Sequence, residues 1–284
     1  MRGTIVRAIS GFYYVLADGE VFECRARGAF RNKKQTPLVG DEVEIEGGAV
    51  EEILPRLNSF ARPPVANVEL MVIVAPVRDP EPSLPVLDRV AIAAEKRGTD
   101  IIICISKTDL ADDSVSARLM EHYGKAYPVH TVCAPEGKGI EELKDMLRGR
   151  KAALAGPSGA GKSTLANALL GSSVSATGEI SERLRRGRNT TRHCELFTEG
   201  GLLLFDTPGF TSFDLADVSS DELSGLFPDI ARHEGGCRFD DCRHISEPDC
   251  SVKEALERGE ISRSRYLSYR SIYTEILETE KRSR

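Results

Sequence analysis

Gly156-Pro157-Ser158-Gly159-Ala160-Gly161-Lys162-Ser163-Thr164 follows an apolar run, Ala152-Ala153-Leu154-Ala155, and precedes Leu165-Ala166-Asn167-Ala168-Leu169-Leu170, whose apolar spacing is helical. Strand, glycine-rich turn and helix in that order are the setting a phosphate loop requires. Glycines let the backbone amides turn inward without Cβ clashes. Those amides and the helix N-terminus then offer partial positive charge to a phosphate chain. Lys162 is placed to reach the β- and γ-phosphates, and the Ser163 hydroxyl to bind Mg²⁺. An ordinary glycine-rich turn would not require the Lys-Ser pair at this spacing.

Around the loop, buried strands alternate with helices. Residues 68–74 and 100–105 are near-continuous apolar runs, as expected of strands covered on both faces. Leu87, Val90, Ala91 and Ala94 recur at helical spacing between them. Residues 126–132 read as a third strand, 139–147 as a helix and 202–205 as a further strand beyond the phosphate loop. This alternation predicts a doubly wound α/β domain with its ligand at the carboxyl ends of the strands. The last of these strands ends in Asp206-Thr207-Pro208-Gly209, where Asp206 can hold a metal-bound water and the Gly209 amide can sense a γ-phosphate.

Ser106-Lys107-Thr108-Asp109 ends the 100–105 strand and resembles the Asn-Lys-x-Asp motif of GTPases. There the carboxylate accepts hydrogen bonds from guanine N1–H and the 2-amino group, a donor pair adenine lacks. The lysine stem lies along the base. Ser106 stands where that motif has Asn, offering one hydroxyl in place of an amide. Cys133-Ala134 sits where a GTPase often carries Ser-Ala, whose alanine amide meets the guanine oxygen. The base-reading motif precedes the phosphate loop by about fifty residues, the reverse of the usual order. A circular permutation explains this, because the termini of compact domains often lie close together.

Upstream, residues 4–9, 12–17, 20–25, 42–46 and 49–54 read as short strands, with Asp18-Gly19 and Gly47-Gly48 suited to tight hairpin turns. Five strands and one long basic loop suggest a small barrel of the oligonucleotide-binding (OB) type. Arg62-Pro63-Pro64 then reads as a linker. Downstream, Cys237, Cys242, His244 and Cys250 supply three thiolates and an imidazole, a closed tetrahedral zinc set. Residues 251–258 and 263–281 read as helices, with Tyr266, Tyr269, Tyr273 and Ile276 on one packing face.

The 284-residue chain has a net charge of −6, which argues against indiscriminate nucleic-acid binding. The charge is uneven. Residues 1–40 carry seven Lys/Arg (Arg2, Arg7, Arg25, Arg27, Arg31, Lys33, Lys34) against three acids, and Arg183, Arg185, Arg186, Arg188 and Arg192 form a second cluster. Basic patches on an acidic protein suggest a specific polyanionic partner. No apolar run reaches the length of a membrane span, and no signal-peptide core follows Met1-Arg2-Gly3-Thr4. A cytoplasmic protein is expected, and an odd count of seven cysteines argues against a disulfide framework.

In this ordered combination the chain resembles the RsgA (YjeQ) family over nearly its full length. The resemblance implies a multidomain α/β protein: an OB-type β-barrel at 1–62, a circularly permuted P-loop GTPase domain at 63–215 and a zinc-binding helical domain at 216–284. It further implies hydrolysis of GTP to GDP with Mg²⁺, one Zn²⁺, and a role in late maturation of the bacterial small ribosomal subunit. In the family the subunit stimulates turnover, and barrel and zinc domain contact ribosomal RNA. No DNA partner, no membrane and a monomeric chain are expected. Gly187-Arg188-Asn189-Thr190-Thr191 matches the family switch that supplies a Mg²⁺-binding threonine, here Thr190 or Thr191. Asn189 stands where the family usually has a histidine implicated in hydrolysis, and Phe210 where other GTPases have a water-orienting glutamine. Asn189 is not an ordinary general base. The alternatives are another phosphate-loop ATPase or kinase, and an rRNA-contacting assembly factor that holds nucleotide with little turnover.

Overall fold

The computed structural model describes residues 1–27, 30, 35–171, 194–206, 210 and 215–282. Five N-terminal strands, β1 (Arg2–Ile9), β2 (Phe12–Ala17), β3 (Glu20–Ala26), β4 (Glu42–Glu46) and β5 (Ala49–Ile53), pair in the order β1-β2-β3-β5-β4. β4 returns to β1 through Arg2↔Glu44, Gly3↔Val43 and Thr4↔Glu42, which closes the barrel. Closure removes the sheet edges, as the expected OB-type barrel requires. Asp18-Gly19 and Gly47-Gly48 all adopt positive φ, the geometry whose twist matches a tight hairpin.

A ribbon follows, β6 (Ser59–Ala61) and β7 (Pro64–Ala66). Arg62 and Pro63, expected within an open linker, instead form its turn. The reason is apolar: Phe60 and Val65 are buried, and Val65 bridges to Val39 at the barrel.

The nucleotide-type sheet contains β8 (Leu70–Pro76), β9 (Asp100–Ser106), β10 (Val129–Thr131), β11 (Lys151–Ala155), β12 (Glu195–Glu199) and β13 (Leu202–Asp206). Among the described residues the order is β10-β9-β8-β11-β13-β12, parallel except for the antiparallel β12–β13 pair. Every residue of β8 and β11 is buried, which accounts for their unbroken apolar runs. Helices α1 (Leu84–Glu95), α2 (Asp113–Tyr123), α3 (Ile140–Leu147) and α4 (Lys162–Leu170) connect and cover the sheet. The loop-bearing strand β11 therefore lies between β8, which precedes it by some eighty residues, and β13, which follows it. That is the strand arrangement of a doubly wound domain with a permuted chain order.

The C-terminal part holds a short helix α5 (Pro228–Ala231), then α6 (Ser251–Glu257) and the long α7 (Arg263–Arg282). Tyr266, Tyr269 and Ile276 of α7 are buried in a cluster with Phe227, Ile230 and Val252, so the tyrosine stripe is packing, as its spacing suggests. No helix among the described residues is long and apolar enough to cross a membrane.

Barrel and sheet are joined at several points. Arg7 of β1 pairs with Glu195 of β12. Lys151 of β11 donates to the Glu42 carboxylate and, at 3.3 Å, to the Gly40 carbonyl. Asn67 donates to the same carbonyl at 3.0 Å, and Asn58 donates to the Val68 carbonyl at 2.8 Å. Lys151, Asn58 and Asn67 are buried and bonded, as burial demands.

Candidate functional site

The phosphate loop leaves the carboxyl end of β11 and enters α4. Gly156 has φ 137°, and a Cβ there would stand 2.5 Å from the Val74 carbonyl oxygen of β8. No other residue fits this approach. Gly159 and Gly161 follow at φ 80° and 92°. Lys162 Nζ donates to the carbonyls of Gly156 and Pro157, each at 2.8 Å. Burial pushes its pKa below the ordinary lysine value. Ser158, Gly159, Ser163 and Thr164 are exposed on the rim, while Ala160 is buried.

The base-reading motif reaches the loop directly. Ser106 Oγ donates to the Ala160 carbonyl at 2.8 Å, a buried hydrogen bond between the end of β9 and the phosphate loop. Lys107, at φ 60°, donates to the Asp79 carbonyl, and its stem runs past Gly161. Asp109 is exposed, and its carboxylate accepts from the Cys133 thiol at 3.3 Å. Burial raises the Cys133 pKa, so the thiol keeps the proton it donates. Backbone bonds between Cys133 and Lys138 close the turn that carries Ala134. The fold thus brings Ser106, Lys107, Asp109, Cys133 and Ala134 to one end of the sheet beside Gly156 to Thr164.

Asp206 is half-buried at the carboxyl end of β13, next to β11. Its carboxylate, at the end of β13, and the Ser163 hydroxyl, in the first turn of α4, are hard oxygen donors, the chemistry Mg²⁺ prefers. Asn189, Thr190, Thr191, Gly209 and the arginine cluster from Arg183 to Arg192 lie outside the described residues.

Cys237, Cys242, His244 and Cys250 converge, their donor atoms all within 4.8 Å of one another. Cys237 Sγ lies 3.9 Å from Cys250 Sγ and 3.6 Å from His244 Nδ1, and His244 Nδ1 lies 3.4 Å from Cys250 Sγ. A tetrahedron with Zn–S bonds of about 2.3 Å has S–S edges of about 3.8 Å, so the donor set fits zinc. Glu234 Oε1, 3.4 Å from His244 Nε2, is placed to orient the ring from behind. Tyr266 and Tyr269 of α7 donate to the carbonyls of His244 and Arg243 at 2.6 and 2.7 Å, clamping the ligand loop.

One polar cluster escapes the sequence reading. Asp88 of α1, His122 of α2 and Arg265 of α7 are fully buried together, and Asp229 of α5 is nearly so. Arg265 donates to Asp88, to Asp229 at 3.3 Å and to the Tyr127 hydroxyl at 3.2 Å, and stacks over Phe227 at 4.3 Å. His122 lies 3.3 Å from Asp88 and 2.7 Å from Ser264 Oγ. The available signal was Asp88 itself, a charge on the apolar face that includes Ala91 and Ile92.

Barrel, permuted sheet and phosphate loop define a circularly permuted P-loop GTPase with an OB-type N-terminal domain. Residues 53–216 match the RsgA GTPase family and residues 2–52 the RsgA N-terminal domain. The chain is 44% identical to the small ribosomal subunit biogenesis GTPase RsgA of Geobacillus kaustophilus, covering 99% of each, and 42% identical to that of Alkaliphilus metalliredigens, covering 97% of each. It superposes on crystal structures of YjeQ from Thermotoga maritima (TM-score 0.85, 35% identity, 97% of this chain and 98% of that one) and of YloQ, a circularly permuted GTPase (0.83, 34%, 98% and 95%). The chain belongs to the RsgA family of GTPases.

Proposed function

We propose that this GTPase acts in late maturation of the small ribosomal subunit, with turnover stimulated by the subunit. The observation that carries the nucleotide reading is the Ser106–Ala160 hydrogen bond, which couples the guanine-reading strand end to the phosphate loop. The relatives' names, small ribosomal subunit biogenesis GTPase, support a role in assembling that subunit. In this reading the chain is organised as a barrel (1–62), a GTPase unit (63–215) and a zinc unit (216–284).

Asp109 accepts from the guanine edge, with Cys133 steadying its carboxylate and the Ala134 amide facing the guanine oxygen. Loop amides and Lys162 hold the β- and γ-phosphates and oppose the charge that develops there as water attacks. To reach them, Lys162 exchanges its present bonds to Gly156 and Pro157 for phosphate oxygens. Ser163 and Thr190 or Thr191 would hold Mg²⁺, with Asp206 holding it through a bound water, and the ion would neutralise phosphate charge. Gly209 senses the γ-phosphate, and Asn189 belongs to the switch segment that supplies the threonine. Cys237, Cys242, His244 and Cys250 hold one structural zinc. Ribosomal RNA is the polyanion met by the basic patches, and the chain works as a cytoplasmic monomer.

The test is steady-state GTP turnover by the full chain with and without purified small subunits. A rise of at least tenfold at saturating GTP is expected (order of magnitude from switch ordering and charge complementation). Equal rates would favour a passive, RNA-contacting factor.

A further inference from the structure

The phosphate loop is tied to the β6–β7 ribbon by two phenylalanines, Phe60 of the ribbon and Phe210, which directly follows the Asp206-to-Gly209 motif. Gly156 opens the loop, and its N–H donates to the Phe210 carbonyl at 2.8 Å. That amide is already committed to the protein, so the phosphate-facing amides begin after it. The Phe210 ring is fully buried and meets Phe60 edge-on, with centroids 5.3 Å apart and planes at 86°. This is the favoured geometry of an aromatic pair, and it is directional. Phe60 is itself buried in β6, with the Arg97 guanidinium 5.1 Å from its ring. Arg97 is held in turn by Asp217 at 3.0 Å.

The ribbon is a firm anchor. Ala66 of β7 donates to the Val39 carbonyl at 2.9 Å, and Asn67, just beyond β7, donates to Gly40. On the opposite side Gly156 abuts Val74 with no room for a Cβ. The first residue of the loop is therefore held between a β8 carbonyl and the Phe210 carbonyl. Lys162 Nζ rests on the next carbonyls along, those of Gly156 and Pro157. Displacing Phe210 would shift Gly156 and, with it, the frame on which Lys162 sits.

We infer that Phe60 is a positioning residue for the nucleotide site: it seats Phe210, whose carbonyl sets the first turn of the phosphate loop. The inference rests on this loop being the seat of the GTP phosphates. Phe60 then governs how tightly phosphates are held and leaves base choice to Asp109.

The test uses the full chain and stopped-flow release of fluorescent GDP and GTP from wild type, Phe60→Leu, Phe60→Ala, Phe210→Ala and the Phe60→Ala/Phe210→Ala pair, with melting temperatures alongside. Phe60→Leu keeps an apolar side chain but removes the edge-to-face ring, so it decides the matter if Phe60→Ala fails to fold. Release from Phe60→Leu is expected to be about tenfold faster, the scale of one lost aromatic pair. The preference for GTP over ATP should be unchanged. The double variant should release nucleotide no faster than Phe210→Ala, because Phe60 acts through Phe210. Folded Phe60 variants that lose only melting temperature and release nucleotide at the wild-type rate would overturn the inference. So would effects of Phe60→Ala and Phe210→Ala that multiply. A wild-type chain that binds no GTP would instead overturn the site assignment itself, and this inference with it.

Discussion

Ser106 carries a hydroxyl where the guanine-reading motif of GTPases has an amide, and that hydroxyl still reaches the buried Ala160 carbonyl. A single donor at the right strand end does the tethering. Asp109 is left exposed, with the Cys133 thiol on one carboxylate oxygen and room for a base edge. Two hydrogen bonds from guanine to a carboxylate are together worth roughly 3–6 kcal/mol. Asp109→Asn should therefore weaken GTP binding by roughly 10²–10⁴-fold and improve binding of xanthosine triphosphate, whose altered edge an amide can pair. Competition titrations with GTP, xanthosine triphosphate and ATP would show this. Comparable ATP and GTP affinities in the wild type would remove the guanine assignment.

The ligand loop and helix α7 form the next level of organisation. Loops rich in Gly, Asp and Pro have little apolar surface to bury, so a metal bound by the Cys3His set would supply folding free energy there. The α7 tyrosines then grip the loop through the carbonyls of Arg243 and His244. Elemental analysis of protein purified without chelators should find one zinc per chain. Cys250→Ser should lose it and raise amide hydrogen exchange across residues 235–255, while GTP affinity stays within about twofold, because the nucleotide motifs lie on another element set. Protein free of zinc yet fully protected in that segment would contradict the assignment.

Across the whole molecule, α7 is held to helices α1 and α2 by a buried charge cluster. Burial alone would raise the Asp88 pKa. Arg265, with help from His122 and Ser268, outweighs it and brings Asp88 below the ordinary carboxylate value. A depressed carboxylate pKa contributes stability that is present above the unfolded value, about 3.9, and is lost as pH falls through the folded value. This contact should thus survive at neutral pH and fail only below about pH 4. Asp88→Asn removes the closer of the two carboxylates that pair with Arg265 and should cost about 3–5 kcal/mol. The denaturant midpoint at pH 7 would report it, and an unchanged midpoint would show that Asp229 and Tyr127 suffice.

The proposed coupling to the ribosome also spans the molecule. Clustered arginines pair with phosphates and release counterions, so their contribution weakens with salt. Alanine at Arg185, Arg186 and Arg188 should cut stimulation by small subunits on the order of tenfold and flatten its salt dependence by up to about three charges, leaving GTP affinity intact. Turnover measured against added subunits over a salt series would check this. Stimulation that persists with the wild-type salt slope would assign the contact elsewhere.

Periodicity and motif spacing carried much of this in one dimension. Five short strands with paired glycine turns announced the barrel, and unbroken apolar runs announced β8, β9 and β11. Phosphate loop and base-reading motif were legible because their chemistry depends on neighbours in the chain. Helix α2 was not, since only Leu119, His122 and Tyr123 are buried on it and its Asp112 cap sits among other acids. β12 was not, since its five residues bury only Leu196 and its partner β13 decides its register. The Arg62-Pro63 turn looked like a break because the burial of Phe60 and Val65 comes from barrel and sheet, not from the ribbon. Asp88 and Arg265 are 177 residues apart, and nothing local marks either as the other's partner. Local bonding and side-chain period are written along the chain, whereas buried ion pairs and the seat of Phe60 against Phe210 exist only once distant segments have packed.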